Sequence, residues 1–411
     1  MVVSKTFAKR LGALSLACIA GPSWAAGFQL NSQSATGLGR AFAGDAVIGD
    51  NASVMARNAA AMTLFDKTTM SLGFIVLDTD IKVKDASYVN GFVPGQIFPA
   101  NFGDAGDTSV APNLHVIVPI NSNWVWGVNV YSNFGTKTEF DSAYVAPEFG
   151  GKTDVKSFNL GTSLAYRIDE QWSLGAGLDL VYGKGKMHRG LNTPAGQQTI
   201  LDIDADGFAL GFNLGVMFEL NQNNRFGLSY RYSPKLEAKG DILYAGNQTS
   251  PLAKNDKLHM PLPDMIEFSG YHRVSPQWAV HYSVQWIGWE EFDVLKSSAH
   301  GVLNRYEWQD GFHYSLGATY ELNSSWTLRA GYMHDTSAQD QITSISVPDS
   351  DRNWFSAGFS YHLNADSSID VGATYLMGED VNVTEQSPYS KLEGKTRADA
   401  VLVGVQYSRS F

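Results

Sequence analysis

From about residue 68 to Phe411 the chain alternates between apolar or aromatic side chains and Gly, Ser, Thr, Asn or charge. Phe208, Leu210, Phe212, Leu214, Val216 and Phe218 form one such series, interleaved with Ala209, Gly211, Asn213, Gly215 and Met217. The stretches 226–232, 280–286, 326–332 and 355–361 repeat it. Successive side chains on a strand point to opposite faces, so a period of two predicts half-buried β-strands. Three further features favour a membrane barrel over a soluble sandwich. Aromatics recur near strand ends (Trp124, Trp126, Trp172, Tyr182, Trp278, Trp286, Trp326, Tyr361, Tyr375), as an interfacial girdle requires. Short polar turns at 119–123, 168–171, 220–225, 274–277, 322–325 and 363–367 alternate with longer polar stretches at 84–110, 138–153, 190–204, 240–257, 293–308, 336–351 and 383–396. The last strand, with Val403, Val405, Tyr407 and an atypical Arg409 on one face, closes on Phe411, a terminus similar to the signal read by the barrel-assembly machinery.

Six turns and seven loops separate fourteen strands, expected at about 68–83, 111–120, 123–137, 154–168, 171–189, 204–220, 224–239, 258–274, 277–292, 309–322, 325–335, 352–363, 367–382 and 397–411. In lipid each unpaired backbone group costs several kcal/mol, so such a sheet must close. The expected fold is an all-β, 14-stranded antiparallel transmembrane β-barrel over residues 66–411, a monomer in outer-membrane lipid with both barrel ends on the periplasmic side. A lumen of that size, with many inward Gly and Ser, is too wide for side chains alone to fill. Residues 26–65 fit neither a strand pattern nor a long amphipathic helix, and are expected to plug it as a small N-terminal hatch.

Residues 1–25 read as a secretory signal peptide: Lys5, Lys9 and Arg10 precede the apolar run 11–20, and Ser23-Trp24-Ala25 offers a cleavage site. Cys18 is the only cysteine; Ser15 stands where a lipoprotein signal would carry Leu, and no disulfide framework is expected. The 411 residues carry a formal charge of −11, which argues against nucleic acid. No linker divides the chain.

Gly37-Leu38-Gly39 to Gly44 lacks the spacing of a nucleotide loop, and its glycines are expected to serve tight turns in a crowded lumen. Asp50-Asn51 is placed to cap a short helix towards Met62. Asn133-Phe134-Gly135 interrupts an alternating strand, which marks a bulge or bend. Arg189 and Lys296 end strands; each is either a water-facing cation or a partner for an anionic ligand in a low-dielectric pocket. The nine histidines sit in no nucleophile motif and no metal-ligand spacing, so neither catalytic residues nor a metal nor any cofactor is expected.

The segments Ala26-Gly27-Phe28-Gln29-Leu30 and 34–44, Asn133-Phe134-Gly135, 269–274 with 276–279, and Val347-Pro348-Asp349-Ser350-Asp351-Arg352 together resemble the FadL family of outer-membrane long-chain fatty acid transporters, in order along the whole mature chain. The resemblance implies passive, ligand-gated uptake of long-chain fatty acids into a Gram-negative cell. Ligand meets a surface groove, enters a buried pocket, shifts the hatch N-terminus and leaves sideways through a kink in the third strand, here Asn133, Phe134 and Gly135. Arg189 and Lys296 match basic positions near the ligand carboxylate, and Phe28 would be an apolar ligand contact. The family's Asn-Pro-Ala hatch motif is Asn58-Ala59-Ala60 here, which frees φ and restores an N–H. The stretch 190–204 is short, so the groove is expected to be reduced, with Ile200, Leu201, Leu243, Tyr244 and Leu252 left to form it. Import of other hydrophobic compounds such as aromatic hydrocarbons, or general diffusion, are the alternatives.

Overall fold

The computed structural model describes residues 27–247 and 249–411. The expected signal peptide at 1–25, with Cys18, and Ala26 of the expected hatch lie outside the described residues.

The alternating stretches form fourteen antiparallel passes. They are β1 (Thr69–Asn90), β2 (Thr108–Pro119), β3 (Trp124–Tyr131, then Gly135–Glu139), β4 (Lys152–Arg167), β5 (Trp172–Thr193), β6 (Gly196–Asn221) and β7 (Asn224–Tyr232, Lys235–Tyr244). Then follow β8 (Leu252–Pro261, Met265–Arg273), β9 (Trp278–Ile287, Val294–Ser297), β10 (Gly301–Arg305, Gly311–Glu321), β11 (Trp326–Asp335), β12 (Arg352–Asn364), β13 (Ser367–Gly378, Val381–Gln386) and β14 (Ser390–Ser410). β14 pairs with β13 on one side and along β1 on the other, from Thr69↔Ser410 to Asn90↔Ser390, so the sheet closes. The outward parity is apolar: Leu72, Phe74, Leu164, Leu178, Leu210 and Leu328 are exposed. Cross-strand aromatic pairs ring the periplasmic end, among them Trp124–Tyr166 (4.6 Å), Trp172–Phe218 (4.6 Å), Trp278–Tyr320 (4.5 Å) and Trp326–Tyr361 (4.8 Å). Phe411 is exposed at the same rim, its amide donating to Thr68 O (2.9 Å).

Two expectations need correction. Most of the long stretches are hairpins rather than loops, because the antiparallel ladders continue beyond the apolar band. β5 and β6 run on to Thr193↔Gly196, so 190–204 is a ladder around a tight turn. Only 140–151 and 336–351 lack strand structure of any length, and both fold inwards: Phe140, Tyr144, Phe149, Ala338, Ile345 and Val347 are buried. The second correction concerns strands read as continuous. β7, β8, β9 and β13 each break, whereas β3 breaks at the expected interruption, between Tyr131 and Gly135. Pro234 and Pro263 lie in two of the breaks, where a missing N–H ends the ladder. In β9 the chain turns through a short 3₁₀ segment, Trp289–Glu291. That turn carries Trp289 into the interior with no accessible surface left.

Residues 27–65 lie in the lumen as short capped pieces. Ser34 caps the helical turn Ala35–Leu38, Asn51 caps the 3₁₀ segment Ala52–Ala56, and Asn58 caps Ala59–Leu64. Wall hydroxyls bind their backbone: Gly44 N donates to Ser283 Oγ (2.9 Å) and Ala52 N to Ser71 Oγ (3.0 Å). Inward glycines permit this approach; a Cβ on Gly215 would collide with Asn58 Oδ1. Ion pairs join the segment to itself and to the wall: Arg40–Asp45 (2.7 Å) and Arg57–Glu267 (3.3 Å) are buried, while Arg40–Asp50 (2.8 Å) and Arg329–Asp50 (3.3 Å) are partly buried.

Candidate functional site

The break in β3 is the centre of the site. β2 and β3 pair only from Pro119↔Val125 to Leu114↔Val130. Above that, 108–113 of β2 stays on β1, while Gly135–Glu139 follows β4. The wall is therefore parted between β2 and the upper piece of β3. A cavity of about 460 Å³ occupies the parting. It is lined both by interior residues (Phe28, Asp349, Trp354) and by side chains of the lipid-facing parity (Val110, Phe158), so it crosses the wall. Its upper edge is closed by Glu139 N donating to Ala105 O (2.9 Å) and by the ion pair Lys137–Asp107.

The backbone exposed by the break is satisfied from within. Leu30 N donates to Asn133 O (2.6 Å), Gly135 N donates to Phe28 O (3.1 Å), and Gln29 bridges Phe134. On the other side, Ser157 N donates to Phe134 O (2.9 Å) and Phe134 N to Ser157 Oγ (3.1 Å). The N-terminal segment thus replaces the strand neighbour that β3 has lost, as buried backbone groups require.

Phe28, on that segment, sits in an aromatic cage: Trp289 at 4.7 Å, Phe292 at 5.4 Å, Trp308 at 5.6 Å and Phe134 at 6.2 Å between ring centroids. An inner apolar cavity beside it, lined by Met187, Met260, Phe292, Leu295 and Tyr306, retains only about 30 Å³. That is room for about one water molecule. Gly27 precedes it at φ +57, where any Cβ would meet the Trp289 and Trp308 rings at 2.8 Å. Gly27 N donates to Asp349 Oδ2 (3.1 Å), and Arg352 Nη2 donates to Gly27 O (3.3 Å). Asp349 also accepts from Ala338 N (2.8 Å). Burial pushes its carboxyl up to about 6, against the pull of the Arg352 guanidinium.

Towards the outside, an outer cavity of about 850 Å³ shares Met187 and Tyr306 with the inner one. Arg189 lies on it. The guanidinium is buried and donates to Lys152 O (2.7 Å), His188 O (2.8 Å) and Thr153 Oγ1 (2.7 Å). Among the described residues no carboxylate forms an ion pair with it; Glu385, on the same cavity, is the carboxylate whose charge acts on the guanidinium. Ile200, Leu201 and Tyr244 of the expected groove line this cavity, whereas Leu243 and Leu252 are not among its lining residues.

The structure separates Lys296 from Arg189. Lys296 is exposed, paired with His259 on one side and Val302 on the other, while its neighbours Leu295 and Ser297 are buried. Strand parity turns its side chain away from the cavities. In Asn58-Ala59-Ala60, Asn58 Oδ1 accepts from Ala60 N (3.0 Å) and Asn58 Nδ2 donates to Val216 O (3.1 Å). Ala59 is the first residue of the turn, where an N–H has no intrahelical partner and proline would fit.

Sequence reasoning missed Trp289, Phe292, Tyr306 and Trp308 as a group, because 277–292 reads as one strand. The available signal was Gly288, after which Trp289 falls on the face opposite Trp286. It also missed the role of Asp349 and Arg352, whose partner is 322 residues away.

Residues 16–411 match the family model described as outer membrane protein transport protein (OMPP1/FadL/TodX). The chain is 37% identical to a long-chain fatty acid transport protein of Escherichia coli O6:H1, covering 98% of this chain and 99% of the relative. It is 33% identical to outer membrane protein P1 of Haemophilus influenzae, covering 93% and 92%. Among solved structures, it is similar to a Pseudomonas aeruginosa FadL homologue (TM-score 0.85, 21% identity, 94% and 100% covered) and to the Pseudomonas putida toluene transporter TodX (TM-score 0.69, 19% identity, 93% and 99% covered).

Proposed function

The chain belongs to the OMPP1/FadL/TodX family of outer membrane transport proteins, and on that footing we propose that it admits long-chain fatty acids through the parting between β2 and β3. It is an outer membrane protein, and its family carries hydrophobic compounds across that membrane. The observation that carries the finer reading is the pairing of Phe28–Leu30 with the broken strand at Asn133–Gly135. One short segment both fills the inner cavity, through Phe28, and seals the wall opening, through its backbone. A ligand that displaces the ring therefore also releases the opening.

The route proceeds as follows. Ligand enters the outer cavity, where Arg189 offsets the desolvation of its carboxylate. The acyl chain presses on the inner cavity and displaces Phe28 from its cage. The segment withdraws from Asn133–Gly135, and ligand passes outwards into the membrane. The lumen itself stays shut, because freeing the hatch would break its buried ion pair with the wall, Arg57–Glu267, at about 3–5 kcal/mol if one charge is left alone. The protein works as a monomer, and Phe411 presents its terminus to the assembly machinery.

The aromatic cage favours a second reading, in which small aromatic hydrocarbons use the same path. The test is deletion of Gly135, which would draw the upper piece of β3 back into register with β2. Uptake of radiolabelled oleate is expected to fall to background while the protein still inserts as a heat-resistant barrel. Normal uptake would refute lateral exit. Liposome swelling with small sugars separates this reading from a diffusion porin, which would let them pass.

A further inference from the structure

The inward-folded stretch 140–151 carries two charged residues, Asp141 and Glu148. Phe149 N and Gly150 N both donate to Ala146 O (3.2 and 3.0 Å), and this tight turn brings Glu148 to the outer cavity. There Glu148 is only 9% exposed. Tyr88 Oη donates to its Oε1 (2.6 Å), as does Ser390 Oγ, while its Oε2 has no hydrogen-bond partner among the described residues. Glu385, on the upper piece of β13, lines the same cavity and accepts from Ile345 N (2.6 Å). Among the described residues neither carboxylate forms an ion pair, and neither does Arg189. Two acids and one cation thus share a void of about 850 Å³, each held by neutral groups rather than by the other.

Opposite charges taken out of water gain most by closing into an ion pair, and a buried charge left alone is costly. Held apart on one void, they match a ligand that carries both signs. The order of those signs follows β5. Met187 touches both cavities, Arg189 comes two residues later, and Gly190 N donates to Pro147 O (3.2 Å), which sets Glu148 beyond the guanidinium. We infer that the outer cavity also takes single-chain zwitterionic amphiphiles, with a phosphate next to the chain on Arg189 and the terminal ammonium between Glu148 and Glu385. A guanidinium fits phosphate oxygens, and carboxylates beside aromatic faces, here Phe149 and Tyr389, suit a quaternary ammonium. A fatty acid uses Arg189 alone and leaves both carboxylates without a cation. This rests on the amphiphile reading of the cavity given above and adds a class of head group.

Titration calorimetry on the full-length protein in a maltoside detergent tests it, with dodecylphosphocholine, dodecyl phosphate and dodecanoate as probes. Burial pushes the Glu385 carboxyl up to about 7, so work at about pH 8.5 keeps it ionised. Wild type is expected to bind dodecylphosphocholine more tightly than dodecyl phosphate, which lacks the ammonium; the reverse order overturns the proposal with no variant needed. Glu385→Gln keeps an acceptor for Ile345 N and removes the charge. Its affinity for dodecylphosphocholine is expected to fall at least about tenfold, with affinity for dodecanoate unchanged or raised. Adding Glu148→Gln should deepen the first loss and spare the second. Equal losses for the two probes, or no loss of dodecylphosphocholine, overturn the zwitterion site. Wild type that binds dodecanoate but not dodecylphosphocholine overturns it too, and leaves the fatty-acid reading standing. Wild type that binds none of the three removes the amphiphile reading, and this proposal with it.

Discussion

The backbone amide of Gly27 donates to the carboxylate of Asp349 at 3.1 Å, across 322 residues of sequence. Arg352 holds the other end of the same residue, donating to Gly27 O at 3.3 Å. This clamp fixes the residue before Phe28, and so the ring that fills the inner cavity.

The clamp is expected to be sensitive to pH. Asp349 faces Arg352 and the like charge of Asp335, and burial raises its carboxyl to about 6. Above that pH the anion attracts Arg352 and accepts strongly from Gly27; below it the neutral acid does neither as well. Hydrogen exchange over 27–31, corrected for intrinsic rates, is therefore expected to quicken as pH falls through about 6. Global stability carries the opposite sign: the buried carboxyl holds its proton more tightly than the unfolded chain, so this group's contribution declines as pH rises from about 4 to about 6. Asp349→Asn should give fast exchange at every pH. A wild type and variant with the same profile would exclude Asp349 as the titrating group.

Phe28→Ala should loosen the seal at the wall. Each lost aromatic contact removes about 0.5–1.5 kcal/mol, and four rings surround Phe28. The amides of Leu30 and Gly135, which bond across the seam, are expected to exchange at least about tenfold faster, since about 1.4 kcal/mol suffices for that factor. Strand amides of β11 and β12 should not change. Uniform acceleration would mean the whole barrel had weakened instead.

Arg189→Ala is expected to weaken fatty-acid binding by about tenfold to a hundredfold, because a hydrogen bond to a charged group contributes about 1.5–3 kcal/mol. Binding of the matching alcohol should change much less. Lys296→Ala should leave both untouched, given its exposed position out of phase with Leu295. Titration calorimetry with acid and alcohol pairs checks both statements, and equal losses for the pair would remove the carboxylate role.

Ala59→Pro should be tolerated, with a melting temperature close to wild type. Asn58 is already extended, at φ −144 and ψ 108, as a residue before proline prefers. Ala61→Pro removes the bond from Ala61 N to Asn58 O (3.1 Å) and should cost about 3 kcal/mol of local stability. Thermal unfolding of both variants compares them directly, and equal damage would show that the first position of this turn is not special.

Sequence alone determined the number of strands, their parity within the apolar band and the closure of the barrel. Those follow from local chemistry: alternation selects a face, lipid forbids an open edge, and Phe208 to Phe218 needs no partner to declare its period. The caps Asn51 and Asn58 begin the related stretches Asn-Ala-Ser and Asn-Ala-Ala, so the second was as legible as the first. The opening was legible only as an interruption at Asn133–Gly135. What the interruption does depends on which backbone groups find partners, and these lie near residue 30 and residue 157. The outward turn of Lys296 was not legible, because a break at 288–293 resets the parity that carries a side chain inwards or outwards. The cage of Trp289, Phe292 and Trp308 around Phe28 and the clamp of Asp349 and Arg352 on Gly27 are contacts across some 260 to 325 residues. No local pattern encodes such distances, and tertiary structure alone decided them.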